Sequence, residues 1–412
     1  MTNFIWDKHS DQPYPIKDKS FKRLIFKKSL FENFKLIFTN LIMFPIVLLR
    51  YLFIGSKKNI NTDKFIGLGV DSNKSARIQF QLLKDLNIKQ VLIRIPLSDI
   101  ENLDKYVEFI KEFQGFDILI NILQDRRHIE DLKLLKDSIS QIFEITSVYA
   151  SKYQIGNAVN RKKWAFFNMG EYMDFYKIVQ DIRDDKYPHI KLIGSCVIDF
   201  EYYFTIRTLF NFRKIKYDVL SSLLYVDRRG DPTNTQMGFD LYKKIKLLFA
   251  ISKTSPKTKD EIYITETNWP ISGTAPYAPT SEKECVSVEE YSEYLVKYFF
   301  IALSSGMIDR VYWHQLIAPG YGLIDDREGF VKYKSFFVLK HIIHIIEDSK
   351  ITYSKISAKK GLIVLEKENQ NISVVWGKEY LLNSYQKGFD IYLDEIKEIK
   401  ENEIGYIVEP KN

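Results

Sequence analysis

From about residue 62 onward, short apolar runs alternate with longer stretches whose apolar residues recur at helical spacing, the pattern of repeated strand–helix units. The runs Phe65–Asp71, Gln90–Pro96, Phe116–Leu123, Tyr149–Ile155, Ile190–Cys196, Tyr217–Tyr225, Glu261–Thr265 and Arg310–Leu316 predict strands. A helix is predicted after each of them, around Ala76–Leu86, Leu103–Phe113, Ile129–Ile145, Glu171–Arg183, Tyr203–Phe212, Gly238–Ser252, Val288–Ser305 and Tyr333–Glu347. Eight such units predict an α/β fold, a (β/α)8 TIM barrel over residues 62–348. The pattern changes at both ends. Residues 349–412 hold short alternating segments such as GLIVLEK and ISVVWG, which predict a small β-rich C-terminal domain. Residues 1–61 form an N-terminal arm that is basic and then apolar.

The apolar part of the arm, Leu36–Ile54, is long enough to cross a bilayer, yet it contains Asn40, Pro45 and Arg50. Lys22, Arg23, Lys27, Lys28 and Lys35 precede it, and Lys57 and Lys58 follow. An arginine in hydrocarbon is costly, whereas an interfacial helix keeps it among the headgroups and gains from basic flanks. Residues 19–58 are therefore read as lying on an anionic membrane surface; a helix packed under the barrel and a true span are the other placements.

Composition narrows the class. A net charge of +7 over 412 residues is too modest to mark a nucleic-acid binder. Two cysteines, Cys196 and Cys285, with no CxxC motif give neither a disulfide framework nor a zinc site. The first residues do not resemble a secretory signal, so the expected location is cytoplasmic, at the inner face of the membrane. Gly67-Leu68-Gly69 lacks the third glycine of a dinucleotide fingerprint, since position 72 is serine. His341 and His344 lie on one apolar helix face with no third ligand evident, so they read as packing. No metal and no cofactor is expected.

In such a barrel, function sits at the C-terminal ends of the strands. There the sequence places Arg94, Gln124-Asp125-Arg126-Arg127, Asn157-Ala158, Asp199 and Glu201, Tyr225-Val226-Asp227, Glu266-Thr267-Asn268-Trp269, and Trp313-His314-Gln315. Polar and aromatic groups collect where a sugar-binding cleft would need them.

The stretches YQIGNAVNRKKW, YITETNWP, VYWHQL and LIRIP resemble the strand motifs of glycoside hydrolase clan A, in its xylosidase- and iduronidase-like branch. TETNWPISGTAPYAP and YVDRRGDP also resemble a bacterial glycosidase-like group associated with lipopolysaccharide and surface-glycan assembly. The resemblance implies a retaining mechanism with Glu266 as nucleophile. It implies Asn157 on the sugar 2-hydroxyl, Arg94 keeping Glu266 ionised, Tyr225 beside the nucleophile and Trp313 as the floor under the ring. Trp269, Gln315, Asp125 and Asp227 complete the expected substrate-binding set, and the expected partner is a carbohydrate.

One position departs from this pattern. The clan's acid/base glutamate falls on Ala158, which can neither protonate a leaving oxygen nor activate water. Three explanations are open. Chemistry survives with another proton donor (Asp125, Glu201 or Asp227) or with a leaving group that needs none, such as a phosphate-linked sugar. Alternatively, the barrel is silent and binds or scaffolds glycan machinery, or alanine has been substituted for a native glutamate. Arg127, Arg228 and Arg229 would suit an anionic glycan, and equally suit ion pairs within the loops.

Overall fold

A computed structural model describes residues 4–56, 60–357 and 359–411. Eight parallel strands close a barrel: β1 Ile66–Val70, β2 Gln90–Pro96, β3 Asp117–Leu123, β4 Lys152–Ile155, β5 Lys191–Ile198, β6 Tyr217–Leu223, β7 Thr258–Ile264 and β8 Arg310–Trp313. They pair in sequence order, and β8 closes on β1 through Val311–Ile66, Tyr312–Gly67 and Trp313–Leu68. Helices lie between successive strands, and Lys334–Ile346 follows the last one. Because helices cover the outside and side chains fill the inside, the strands read as apolar runs rather than as alternating ones.

The alternation is nevertheless there in the interior. Leu92, Leu119, Ile193, Val219, Tyr263 and Tyr312 form one buried cluster that plugs the lower barrel. Two residues further along β2, on the same inward parity, comes Arg94; beyond β8, two residues past Tyr312, comes His314. Gly67 and Gly69 serve this interior. A Cβ at Gly67 would stand 2.5 Å from the Tyr312 ring, and one at Gly69 would stand 3.1 Å from the His314 imidazole.

C-terminal to the barrel, an antiparallel six-stranded sheet runs in the order Lys350–Ile356, Gly361–Glu366, Gln370–Trp376, Ile404–Pro410, Lys387–Asp390, Glu395–Ile396. Ile363, Leu365, Ile372, Val374 and Trp376 join the main core.

The N-terminal helix α1 is a single element, Lys19–Phe53. Asp18 caps it by accepting from the backbone of Ser20 and Phe21, so the lysine-rich stretch is helical from the start rather than a flank to a helix beginning near Leu36. Pro45 lies within it without ending it. The helix rests on Tyr202–Leu209 and Leu241–Thr254, burying Ile25 and Val47 beside two polar residues. Ser29 and Glu32 are buried: Ser29 donates to the Phe167 carbonyl at 3.1 Å, and Glu32 pairs with Arg207 at 2.5 Å. Phe31, Phe34, Ile37, Phe38, Leu41, Leu49 and Phe53 face outward. The helix thus packs on the barrel's outer helices through one face and leaves those residues exposed on the other. Lys57 and Lys58 lie outside the described residues.

Ahead of α1 stands a short hairpin, Trp6–Asp7 paired with Gln12–Pro13. It crosses the C-terminal mouth of the barrel.

Candidate active site

Glu266 stands just past the end of β7 and is 8% exposed. Its Oε2 accepts from the Arg94 guanidinium at 2.6 Å and from the Asn157 amide at 3.3 Å; its Oε1 accepts from the Tyr225 hydroxyl at 2.6 Å. Burial pushes the Glu266 carboxyl up, but Arg94 and the hydrogen bonds from Tyr225 and Asn157 outweigh it and hold the group below the usual range. It is an ionised, oriented carboxylate.

The groups around it are themselves fixed. Asn157 accepts at its side-chain oxygen from Asn121 at 3.2 Å and from Gln154 at 3.3 Å. Gln124 clasps its backbone, accepting from the Asn157 N–H at 2.9 Å and donating to its carbonyl at 2.8 Å. This leaves the Asn157 amide nitrogen aimed at Glu266. Arg229 lies 3.6 Å over the ring of Tyr225. His314 is pushed down to about 3 by burial and by Arg94, so its imidazole is neutral.

A cavity of about 230 Å³ opens over these groups, lined by Arg94, Tyr225, Glu266, His314 and Tyr321 from the barrel. The loop after β4 contributes Arg161, Lys163 and Trp164, and the hairpin contributes Ser10, Asp11 and Gln12. Arg161 is engaged by Glu201 at 2.9 Å and Asp199 at 2.5 Å. Lys163 donates to Gln12 at 2.6 Å and, like Arg229, is hydrogen-bonded to no carboxylate among the described residues.

Several expectations need correction. Trp313 is not a floor for a sugar. It is 0% exposed, on the outward parity between Tyr312 and His314, and its indole donates to the Tyr291 hydroxyl at 2.6 Å within the helix layer. Trp269 stacks on it, with ring centroids 5.6 Å apart, and is equally buried. Gln315 is buried outside the cavity wall, and its carbonyl accepts from the Leu323 N–H. Asp125 caps the short helix Arg126–Glu130 and is bound to His128 by its ring and its backbone, at 2.7 and 2.9 Å. Asp227 opens the one-turn helix Asp227–Arg229 and, unlike Arg229, does not line the cavity. Glu201 is taken up by Arg161 and Asn160. None of the three carboxylates considered as replacement acids lines the cavity. Ala158 itself is fully buried at φ +45°, and its side chain does not line the cavity.

The residue missed was Asp11. It arrives from the hairpin and pairs with Arg94 at 2.7 Å, on the guanidinium nitrogen next to the one that holds Glu266. Ser10 and Gln12 flank it, and no motif or periodicity near residue 11 signals a barrel contact 83 positions away.

No protein-family model and no curated protein matches the sequence. Solved structures do match in fold. A family 39 glycoside hydrolase from Bacteroides cellulosilyticus WH2 superposes with a TM-score of 0.65 at 11% identity, over 86% of this chain and 83% of that one. A GH30 endoxylanase from Clostridium papyrosolvens C71 gives 0.57 at 11% identity, over 87% and 98%. A GH39 β-xylosidase from Caulobacter crescentus also gives 0.57 at 11%, over 86% and 98%. The architecture is thus the TIM barrel of the GH39 and GH30 glycoside hydrolases.

Proposed function

We propose that the protein is a carbohydrate-active barrel that transfers or hydrolyses a glycosyl group with retention, through a covalent intermediate on Glu266. The observation that carries this reading is the ionised Glu266 carboxylate, fixed by Arg94, Tyr225 and Asn157 at the end of β7. A barrel that only bound glycan would have no need to hold a buried carboxylate ionised beside a cavity, since that arrangement costs desolvation. The fold shared with glycoside hydrolases supports the same class of ligand. Lys163 and Arg229 suit a substrate that carries negative charge, such as an activated, phosphate-linked donor. The second reading, a silent glycan-binding scaffold, is favoured by Ala158.

The test is a panel of 2-deoxy-2-fluoro glycosyl fluorides incubated with the full chain and followed by intact mass. A single adduct mapped to Glu266 is expected. Binding of the parent sugars without any adduct would leave the scaffold reading standing.

The setting we infer is the inner face of a bacterial cytoplasmic membrane, in surface-glycan metabolism. The outward apolar face of α1 and its lysines support it, because an aqueous neighbour would favour the reverse polarity. The chain is expected to co-sediment with vesicles containing anionic lipid. Replacing Phe31, Phe34 and Phe38 with serine is expected to weaken that partition at least about tenfold, given about 1.5–3 kcal/mol per buried aromatic side chain. Unchanged partition would rule out α1 as the contact.

A further inference from the structure

The fourth strand supplies no acid, but a second carboxyl enters the same cavity from the other end of the sequence. We propose that Asp11, delivered by the N-terminal hairpin, is the general acid/base that works with Glu266. The proposal rests on the reading of Glu266 as nucleophile and adds the missing half of the pair.

Geometry supports it first. Asp11 and Glu266 sit on the two terminal nitrogens of one guanidinium, at 2.7 and 2.6 Å. Two carboxyls held on one such fork face the same cavity and stand within reach of a single glycosidic bond, as a catalytic pair must. The hairpin is also built to present this residue. Asp7 braces the turn, accepting from the His9 N–H at 3.0 Å and the Ser10 hydroxyl at 2.7 Å. Gln12 is pinned from both sides of the mouth, donating to the Pro279 carbonyl at 2.9 Å and accepting from Lys163 at 2.6 Å. Trp6 meets Trp164 edge-on at 5.6 Å. The Asp11 side chain keeps 27% of its surface open, so it can exchange protons with solvent in the cavity.

The electrostatics of the two carboxyls diverge as an acid and a nucleophile require. The groups facing Asp11 are Arg94, Asp71, Glu266, His314, Tyr321 and Tyr106. Burial, with Asp71 and Glu266, outweighs Arg94 and pushes Asp11 up to about 6, while Glu266 is held down. The neutral His314 has no proton to give in that range. Asp199, the other carboxylate lining the cavity, is committed to Arg161.

In the first step the Asp11 proton passes to the glycosidic oxygen as its bond to the anomeric carbon breaks and the Glu266 carboxylate bonds to that carbon. A neutral alcohol leaves. In the second step water bonds to the anomeric carbon and gives its proton to the Asp11 carboxylate, and Glu266 departs as a carboxylate.

The experiment compares the full chain with Asp11→Asn on 4-nitrophenyl and 2,4-dinitrophenyl glycosides of whichever sugar labels Glu266. The expected loss is about 10²–10⁴-fold on the poorer leaving group and much less on the dinitrophenyl one. Azide, which needs no base, is expected to restore turnover and give the glycosyl azide of retained configuration. The fall in activity above about pH 6 is expected to disappear with Asp11. No loss, or an equal loss on both substrates without azide rescue, overturns the proposal; the latter is what an undocked hairpin would give. Asp11→Glu keeps the carboxyl and is expected to recover part of the azide-independent rate, and failure to do so also counts against it. Labelling of Glu266 in wild-type protein stands apart from these results, so loss of the acid/base assignment and loss of the nucleophile reading are distinguishable.

Discussion

Glutamine at position 266 is expected to leave the barrel folded and to remove about 10⁵-fold or more of glycoside turnover, with no fluoro-sugar adduct. The substitution is nearly isosteric. A glutamine oxygen still accepts from Arg94 or Tyr225, so the local hydrogen bonds survive in part. What goes is the nucleophile and one unit of buried charge. The loss of charge has a second consequence. Glu266 is one of the carboxylates that raise Asp11, so the Asp11 carboxyl is expected to titrate lower in this variant. Loss of turnover with sugar binding retained, measured by calorimetry, separates a missing nucleophile from a collapsed site. Residual turnover within about tenfold of wild type would remove Glu266 from its role.

The barrel was legible because its strands are covered on both sides. Ile120, Ile122 and Leu223 are buried whichever way they point, so the runs stand out from the amphipathic helices between them. The end of β7 was legible for a different reason: in this fold chemistry collects at strand ends, and a glutamate there has few structural uses. What a strand-end position does not reveal is facing. Trp313 and His314 are neighbours, yet one packs into the helix layer and the other looks into the cavity, because strand parity alternates by one residue. An aromatic residue at a strand end is as good a core residue as a sugar platform, and here Tyr291 and Trp269 claim Trp313. Asp11 was illegible in principle. Its role depends on a hairpin folding back over the mouth, a contact that carries no local pattern.

That hairpin also ties the site to the surface helix. Four residues separate Pro13 from Asp18, the cap of α1. Helix α1 and the carboxyl standing on Arg94 are therefore held by one short connection.

Arg94 is the residue on which both halves depend, and replacing it with methionine is expected to cost about 3–5 kcal/mol of stability at neutral pH, measured by denaturant unfolding. Removing one partner of a buried ion pair leaves the other uncompensated, and here two carboxylates lose the same cation. The pH dependence follows from the two shifts. In the wild type the lowered Glu266 contributes stability that is present above its unfolded value and lost as pH falls through its folded one. The raised Asp11 acts oppositely: its contribution is complete below the unfolded value and is lost as pH rises through about 6. Without Arg94 both carboxyls rise, so the deficit of the variant should be greatest at neutral pH and shrink on acidification, as protonation removes the unpaired charge. The acid limb of activity should move to higher pH, since Glu266 must still ionise to attack. Hydrogen exchange over residues 5–14 should accelerate as the hairpin loses its anchor. A variant as stable as wild type at pH 7, with the hairpin still protected, would mean that neither carboxylate relies on this guanidinium and that Asp11 and Glu266 do not form a pair through it.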